Sequence, residues 1–419
     1  MGGVKIAKRK NMTMKEDFYV YNKPQYVYIP LIAFHDENVT LLIKKGDYVC
    51  KGDVIARKKG DLKLPIFSSV SGKFIDIEEH MHSSGKLVKC VVIENDFKEK
   101  VKSVKKVKEN INEYSKQEFI DIVKNSGIIG LGGAGFPTYA KYDTETKINS
   151  LIINAVECEP YITCDTMFIK DHIEELLECI DSVMTINNIE KCYIAVKKEN
   201  DTLITVLEEF LGSYLNIELK LVKNLYPMGW ERLLVKEILN ITYDKLPIEK
   251  GVVVNNISTI YQVYESLKYG KPLIERVVTF SGEGLNIKKN ILVKIGTKID
   301  EVLNSLGYPK EELILICGGP MMGISTDPDL IITPDVNSIL VLKNDDEKVT
   351  ECIRCGKCSN ACPANLFPVL IKDFYRNKDK LQKLNPNKCV ECGLCSYVCP
   401  AKINVREYVR KAKNIMREK

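Results

Sequence analysis

The sequence predicts a multidomain α+β protein: a β-rich N-terminal module, an α/β layer, a second small β domain and a helical cysteine-rich region. Three observations predict this. Short strands punctuated by glycines fill residues 27–95, helix and strand patterns alternate over residues 166–255, and eight of the 15 cysteines lie between Cys352 and Cys399. At 419 residues the chain is long for one core, so about two to four domains are expected. The predicted domains are residues 1–110, 111–268, 269–330 and 331–419.

Composition excludes several classes of protein. The chain is 45% hydrophobic and 28% charged, and its net charge of +5 is too small to indicate nucleic-acid binding. The N-terminus has no apolar stretch typical of a signal peptide, and no run of about 18 apolar residues occurs. Seven cysteines are scattered without metal-ligand spacing, which suits a reducing cytoplasm. We therefore expect a cytoplasmic protein, peripheral at any membrane.

The N-terminal β-rich module has a recognisable turn pattern. The segments KKGDYVCKGDVIA and SSVSGKFIDI resemble the barrel-sandwich hybrid of lipoyl and biotinyl domains. Between them lies KKGDLKLP, without the MKM or DKA hairpin that carries the modified lysine. We interpret the module as structural, without a prosthetic arm. A charged link follows at residues 98–110.

A glycine-rich segment, GIIGLGGAGFPTYAKY, occupies residues 127–142, after a predicted helix at 114–126. Gly130, Gly132 and Gly135 satisfy G-x-G-x-x-G, but that fingerprint requires a preceding strand and a following helix. Here a helix precedes and Pro137 follows, so we reject a Rossmann site. Such glycines also allow backbone N–H groups to approach an anion, and the alternative is a tight structural turn.

The α/β layer is predicted from alternating patterns. A strand at 151–156 runs into ECEPYITCD, which places acidic groups where α/β sheets bind ligands. Further helices are predicted at 167–184, 200–213 and 229–240, and strands at 191–197, 217–222 and 251–255. Residues 276–310 then resemble a small ubiquitin-like β-grasp, followed by a strand and the glycine-rich turn GGPMMG within residues 312–325.

The motif C-x-x-C-x-x-C-x-x-x-C-P occurs twice, 37 residues apart. This is the bacterial ferredoxin pattern for two 4Fe–4S clusters, in which the fourth cysteine of each run ligates the other cluster. Zinc would explain neither the third interval nor the prolines, and disulfides belong to short secreted chains. One cluster is therefore assigned to Cys352, Cys355, Cys358 and Cys399. The other is assigned to Cys362, Cys389, Cys392 and Cys395.

The C-terminal segment is a basic amphipathic helix by its pattern. Its apolar face is formed by Val405, Tyr408, Val409, Ala412 and Ile415. Such a helix docks on anionic lipid or packs on its own domain, and the pattern does not separate the two.

With GLGGAGFPTYAKY, NAVECEPY, YPMGWE, NNISTI and an early Gly2-Gly3, essentially the entire chain resembles the RnfC family. Its members are peripheral subunits of the Rnf complex, the ion-translocating ferredoxin:NAD oxidoreductase. The middle region is also similar to the NADH-oxidising subunit of complex I. The resemblance implies FMN, NAD(H) as substrate, two 4Fe–4S clusters and a soluble-ligand-binding β-grasp (SLBB) at 269–330. It further implies a peripheral place on the cytoplasmic side of the membrane, beside other Rnf subunits, with ferredoxin as an indirect partner. The implied FMN and nucleotide residues are Gly130, Gly132, Gly133, Gly135, Phe136, Lys141, Asn154, Glu157, Glu159, Tyr226, Gly229, Glu231, Asn255, Asn256 and Ser258.

Two positions depart from the complex I pattern, and they leave alternatives open. Leu131 replaces an arginine, as fits the Rnf branch, whereas Val156 replaces an acid and weakens the nucleotide assignment. One alternative is a soluble relative that donates electrons to a proline-reductase system. The other is a non-catalytic iron–sulfur adaptor. The leading hypothesis is an NAD(H)-dependent oxidoreductase subunit, in which a flavin matches two-electron hydride transfer to one-electron clusters.

Overall fold

The computed structural model describes residues 2–14, 19–21, 23–32, 37–60, 64–102, 107–309, 313–344 and 348–417. Within these ranges the strands form four sheets, of six, four, four and three strands. The predicted mixture of β-rich and α/β regions is therefore confirmed. No described helix is both long and apolar enough to cross a membrane.

The N-terminal module is built from two small sheets that share one apolar core. The first has the order β2–β8–β7–β4 and the second β3–β5–β6. The core between them includes Val27, Ile55, Phe74 and Ile93. Residues 61–63 of the segment KKGDLKLP lie outside the described residues. The strands are β2 (Tyr26–Pro30), β3 (Val39–Leu41), β4 (Tyr48–Val49), β5 (Val54–Lys58), β6 (Pro65–Phe67), β7 (Gly72–Met81) and β8 (Leu87–Asn95).

The α/β layer has a four-stranded parallel sheet with the order β11–β10–β9–β12. Its strands are β9 (Ser150–Asn154), β10 (Lys191–Lys197), β11 (Ile217–Val222) and β12 (Val252–Asn256). Its helices are α1 (Lys116–Asn125), α2 (Cys164–Lys170), α3 (Ile173–Ile186), α4 (Asp201–Phe210), α5 (Glu231–Leu239) and α6 (Ile257–Tyr269). The single helix predicted at 167–184 is two helices, because the backbone of His172 leaves the helical conformation. Since all four strands are parallel, their carboxyl ends meet at one edge, where Asn154 pairs with Asn256.

A six-stranded mixed sheet follows, with the order β1–β14–β13–β17–β15–β16. Its elements are β1 (Tyr19–Tyr21), β13 (Glu275–Ser281), β14 (Lys289–Lys294), α7 (Ile299–Ser305), β15 (Leu313–Cys317), β16 (Ile324–Thr326) and β17 (Ser338–Lys343). This sheet includes strands from outside the predicted range 269–330. Strand β1 comes from the N-terminal region, and β17 lies inside the sheet between β13 and β15. Residues 338–343 therefore belong to this sheet and not to the cysteine-rich region.

The cysteine-rich region is helical and repeats its backbone with the period of its motifs. Its helices are α8 (Lys357–Asn360), α9 (Pro368–Asp373), α10 (Lys378–Leu384), α11 (Leu394–Tyr397) and α12 (Val405–Arg417). Gly356 and Gly393, 37 residues apart, both have positive φ before a short helix. Arg354 and Glu391 are also 37 residues apart, and both have positive φ. The two cysteine runs are thus two copies of one structural unit.

Helix α12 packs on its own region through the apolar face that the sequence pattern predicts. Val405, Val409 and Ala412 are buried beside Ile371 and Leu381. Of the two possibilities left open by the pattern, the structure shows intradomain packing.

Candidate site: a cavity beside two sets of four cysteines

The eight motif cysteines surround two separate cavities. Cys362, Cys389, Cys392 and Cys395 line the first, which we call the inner set. Cys352, Cys355, Cys358 and Cys399 line the second, which we call the outer set because Cys355 is exposed. In each set, three cysteines come from one run and the fourth from the other run. This is the crossed grouping that the repeated motif predicts.

The cysteine sets fit iron–sulfur clusters chemically. Burial raises the pKa of Cys392 and of Cys395 to about 12, so bound cations are needed to hold these sulfurs as thiolates. Backbone N–H groups also point at sulfur: Leu366 donates to Cys362 Sγ (3.4 Å) and Glu391 to Cys389 Sγ (3.3 Å). Such bonds tune the reduction potential of a cluster.

A cavity of about 500 Å³ lies at the carboxyl edge of the parallel sheet and reaches the inner set. Three parts of the fold form its walls: the glycine loop at 130–134, the ends of the parallel strands with the residues that follow them, and two segments of the six-stranded sheet at 317–319 and 335–337. Cys392 lines the same cavity. A ligand in this cavity would therefore lie beside one of the inner cysteines.

The glycine loop is closed on itself and tied to the start of α6. The N–H of Gly130 donates to the carbonyl of Phe136 (2.8 Å), and the N–H of Leu131 donates to Thr259 Oγ1 (2.9 Å). Gly133 has a φ of 97°, in the region that favours glycine. The loop thus presents its backbone to the cavity next to a helix N-terminus, an arrangement suited to an anion.

The strand ends bring polar groups together around the cavity. Asn154 donates through Nδ2 to the carbonyl of Gly229 (2.9 Å). At Gly229 an added Cβ would lie 2.7 Å from the carbonyl oxygen of Val156, so only glycine fits there. Trp230, the single tryptophan of the chain, also lines the cavity.

Glu159 joins the cavity to the six-stranded sheet. Its carboxylate accepts from the N–H groups of Met321 (3.1 Å) and Met322 (3.0 Å). Burial raises the pKa of Glu159 to about 7, against the lowering effect of these bonds. Arg406 of α12 holds the same turn from behind by donating to the carbonyl of Met322 (2.8 Å). The predicted turn GGPMMG is therefore a wall of the site.

Comparisons with known proteins agree with this architecture. Residues 1–98 match the family model of the RnfC barrel sandwich hybrid domain, residues 123–265 that of the Nuo51 FMN-binding domain, and residues 351–403 that of the 4Fe-4S dicluster domain. The C subunit of the proton-translocating ferredoxin:NAD(+) oxidoreductase complex of Clostridium ljungdahlii is 33% identical over 390 residues, which are 90% of this chain and 85% of that protein. The chain belongs to the RnfC family of ion-translocating ferredoxin:NAD oxidoreductase complexes.

A second relative of this RnfC-family chain gives the same family, and a solved structure gives a similar fold. The C subunit of the Na(+)-translocating ferredoxin:NAD(+) oxidoreductase complex of Acetobacterium woodii is 33% identical over 395 residues, covering 92% of this chain and 89% of that protein. A crystal structure of an NAD+-reducing NiFe hydrogenase in the H2-reduced state superposes with a TM-score of 0.52 at 15% identity, covering 75% of this chain and 64% of that chain. At that identity the likeness concerns the fold alone.

In this family member, ten of the fifteen residues predicted to bind FMN or nucleotide line the cavity. They are Gly130, Gly132, Gly133, Lys141, Asn154, Glu157, Glu159, Gly229, Glu231 and Asn256. Gly135, Phe136, Tyr226, Asn255 and Ser258 are not among the lining residues. Asn255 faces the core, where its amide donates to the hydroxyl of Tyr142. Tyr226 is fully buried, and its hydroxyl donates to the carbonyl of Cys392 (2.7 Å).

Ser258 is not among the lining residues, but it hydrogen bonds to a lining residue that was not predicted from the sequence. Its hydroxyl donates to Asp165 Oδ1 (2.6 Å), and Asn256 Nδ2 donates to Asp165 Oδ2 (2.6 Å). Asp165 lines the cavity, and its backbone N–H donates to Glu157 Oε1 (2.9 Å). Asp165 belongs to the acidic segment ECEPYITCD, which follows strand β9. That position after a strand is the sequence signal that could have indicated Asp165 as a site residue.

The proximity of these two carboxylates predicts a pH effect on stability. Burial, together with the charge of Glu157, raises the pKa of Asp165 from 3.8 to about 6. Between about pH 4 and 6, Asp165 keeps its proton in the folded protein, whereas in the unfolded chain it has already lost it. The free energy of unfolding therefore falls as pH rises through that window. Asp165→Asn removes the charge and keeps one acceptor oxygen, and it should stabilise the fold at about pH 8 by up to roughly 3 kcal/mol.

Thermal unfolding of wild type and of this variant between about pH 4 and 8 measures the effect. Exposed Asp171 on the same segment offers the matched control, Asp171→Asn. Equal pH slopes in wild type and Asp165→Asn would show that Asp165 is not the titrating group.

Proposed function

We propose that this chain is the NAD(H)-reactive, peripheral electron-transfer subunit of an ion-translocating ferredoxin:NAD oxidoreductase complex. One observation carries the proposal: the cavity lined by the glycine loop and the strand ends is also lined by Cys392 of the inner set. In this proposal, the flavin site and the electron acceptor site share one wall. Membership of the RnfC family supports the same role.

We assign FMN to this cavity, and the residues fit it. The volume suits one flavin nucleotide, the loop offers backbone donors, and Lys141 supplies a cation. Flavin exchanges two electrons with a nicotinamide and passes them singly to a cluster. The protein's own groups orient these partners: Asn154 and Asn256 line the strand edge, and Glu157 and Glu159 form the acidic wall. Val156 stands where complex I has an acid. Its side chain lines the cavity and packs into the apolar core beside it.

The stoichiometry of the proposed reaction balances. Oxidation of one NADH to NAD+ and a proton would supply two electrons, one for each of the clusters that the inner and outer cysteine sets would hold. Cys392 borders the cavity whereas Cys355 of the outer set is exposed, so the inner set is the nearer relay and the outer set faces the redox partner. In the complexes named for the relatives, ferredoxin and NAD(+) are the redox partners, and we extend this to the present chain.

The finer assignments are part of the proposal. We infer that the six-stranded domain is an SLBB β-grasp, that residues 111–268 form the flavin domain, and that the chain binds other subunits on the cytoplasmic face of the membrane. Helix α7 lies over this sheet, with Val302 and Leu303 in its core, as the β-grasp assignment requires. The predicted cysteine ligand sets are proposed unchanged.

Anaerobic purification followed by acid extraction of flavin tests the function. We expect FMN in the extract, and NADH should bleach both flavin and iron–sulfur absorbance. Absence of FMN would favour the adaptor alternative. Membrane fractionation with and without the other subunits separates a complex-bound subunit from a soluble electron donor of a reductase.

Trp230 gives a direct assay of the cavity. Because it is the single tryptophan and lines the cavity, added FMN should quench most of the intrinsic tryptophan fluorescence of flavin-free protein. A titration with FMN measures the dissociation constant, and riboflavin without the phosphate is the control ligand. Undiminished fluorescence at saturating FMN, as judged by ultrafiltration, would place the flavin elsewhere.

A further inference from the structure

The first residues of the chain run from the inner cysteine set to the wall of the flavin cavity. We call residues 2–13 the N-terminal strap. Its Gly2-Gly3 pair belongs to the sequence resemblance, but the proposed function gives these residues no role. The contacts of the strap assign one.

One end of the strap lies on the loop of an inner cysteine. A Cβ atom at position 2 would be 2.4 Å from the carbonyl oxygen of Cys362 and 2.7 Å from that of Ala361. No side chain fits in that space, so glycine is required for so close an approach. Gly3 has a φ of 142°, which also favours glycine.

The middle of the strap pairs with a residue that contacts another inner cysteine. Val4 and Tyr226 exchange two backbone hydrogen bonds, of 3.1 and 2.9 Å. The Tyr226 hydroxyl in turn donates to the carbonyl of Cys392 (2.7 Å). Val4 and Ile6 also pack against an apolar cluster that contains Tyr226 and Cys392. The strap thus touches both Cys362 and the support of Cys392.

The other end of the strap is fixed to the acidic wall of the cavity. Lys10 Nζ donates to the carbonyl of Glu157 (2.9 Å) and lies 3.4 Å from its Oε2, with both side chains largely buried. The carbonyl of Lys8 accepts from the N–H of Tyr161 (2.9 Å), and the hydroxyls of Thr13 and Thr163 are 2.7 Å apart. The strap therefore reaches from the inner cysteine set to the acidic wall of the cavity.

We propose that the N-terminal strap is a positioning element that holds the inner cysteine set at a fixed distance from the flavin cavity, with Gly2 and Lys10 as its end anchors. The proposal rests on the proposed function, because the distance matters only if electrons pass between the two sites. Electron tunnelling slows steeply as the separation grows. Loosening the strap should slow this transfer and leave the reaction of NADH with the flavin unchanged.

Gly2→Val tests the proposal, because its side chain cannot lie on Cys362. In anaerobic stopped-flow with NADH, flavin bleaching should keep its wild-type rate, whereas cluster bleaching should slow severalfold, because electron tunnelling slows with each added ångström of separation. Hydrogen–deuterium exchange should rise at residues 225–227 and 361–366, a measurement that needs neither NADH nor turnover. The matched control is Gly212→Val, where an added Cβ meets nothing within 4 Å.

Two further variants keep the test decisive. If Gly2→Val loses iron, Val4→Pro removes the Val4 N–H bond to Tyr226. Lys10→Met releases the other end of the strap, with exposed Lys5→Met as its control. The proposal is overturned if hydrogen–deuterium exchange rises but the clusters are reduced at the wild-type rate. It is also overturned if exchange is unchanged, or if flavin bleaching and cluster bleaching slow equally. If wild-type flavin does not react with NADH, the proposed function fails, and photoreduction of the flavin still tests the strap.

Discussion

Replacing Cys399 by serine is expected to remove the cluster that the first cysteine run begins. Cys399 comes from the second run, but it lies at the cavity of Cys352, Cys355 and Cys358. Serine lacks the thiolate that a cubane cluster requires. The variant should therefore lose roughly half of the iron of the protein. Iron analysis and electron paramagnetic resonance of the dithionite-reduced protein measure the loss.

The reciprocal variant, Cys362→Ser, separates the two clusters by position. It should remove the inner cluster, which borders the flavin cavity through Cys392. NADH should then still reduce the flavin, but the outer cluster that remains in Cys362→Ser should be reduced far more slowly than the inner cluster that remains in Cys399→Ser. Cys50→Ser, in the N-terminal module, is the control. Loss of the inner signal in Cys399→Ser would contradict the crossed pairing.

The cysteine grouping could be predicted because the sequence repeat is also a structural repeat. A period of 37 residues relates the cysteines, the positive-φ glycines Gly356 and Gly393, and the helices that follow them. The strands at 191–197 and 217–222 likewise have their predicted bounds, since each is a short apolar run between breaks. The local sequence pattern is sufficient to predict an element when the conformation of that element depends mainly on its own residues.

The rest of the site depends on contacts between distant segments. The turn at 318–323 reaches the cavity only because β15 and β17 pair with each other inside the six-stranded sheet. The strap likewise contacts Tyr226 and Cys362 across the chain. Neither arrangement has a local sequence signal.

Strand parity accounts for one of the predicted residues that the cavity does not include. Asn255 and Asn256 are neighbours on β12, and side chains alternate between the faces of a strand. Asn256 therefore lines the cavity, whereas Asn255 is 1% exposed and hydrogen bonds to Tyr142 in the core. A motif such as N-N-x-S identifies the pair, but only the packed sheet shows which member faces the ligand.

Lys141→Met is expected to weaken FMN binding by about 10- to 100-fold, the loss for one hydrogen bond to a charged group. Lys141 lines the cavity and donates to the carbonyl of Val254 (2.5 Å), and no described carboxylate forms an ion pair with it. Burial lowers the pKa of Lys141, with Glu231 opposing this effect. An anionic ligand would therefore stabilise the ammonium form that the cavity disfavours.

The quenching of Trp230 by FMN measures this affinity without turnover. Lys147→Met is the matched control, because Lys147 is exposed and pairs with Glu190 away from the cavity. Iron content should be unchanged in both variants, since neither lysine contacts a cysteine set. If Lys141 binds the phosphate of FMN, the affinity for riboflavin should be the same in wild type and Lys141→Met. Only the affinity for FMN should fall. Equal FMN affinity in wild type and Lys141→Met would mean that the glycine loop and the start of α6 hold the anion without this cation.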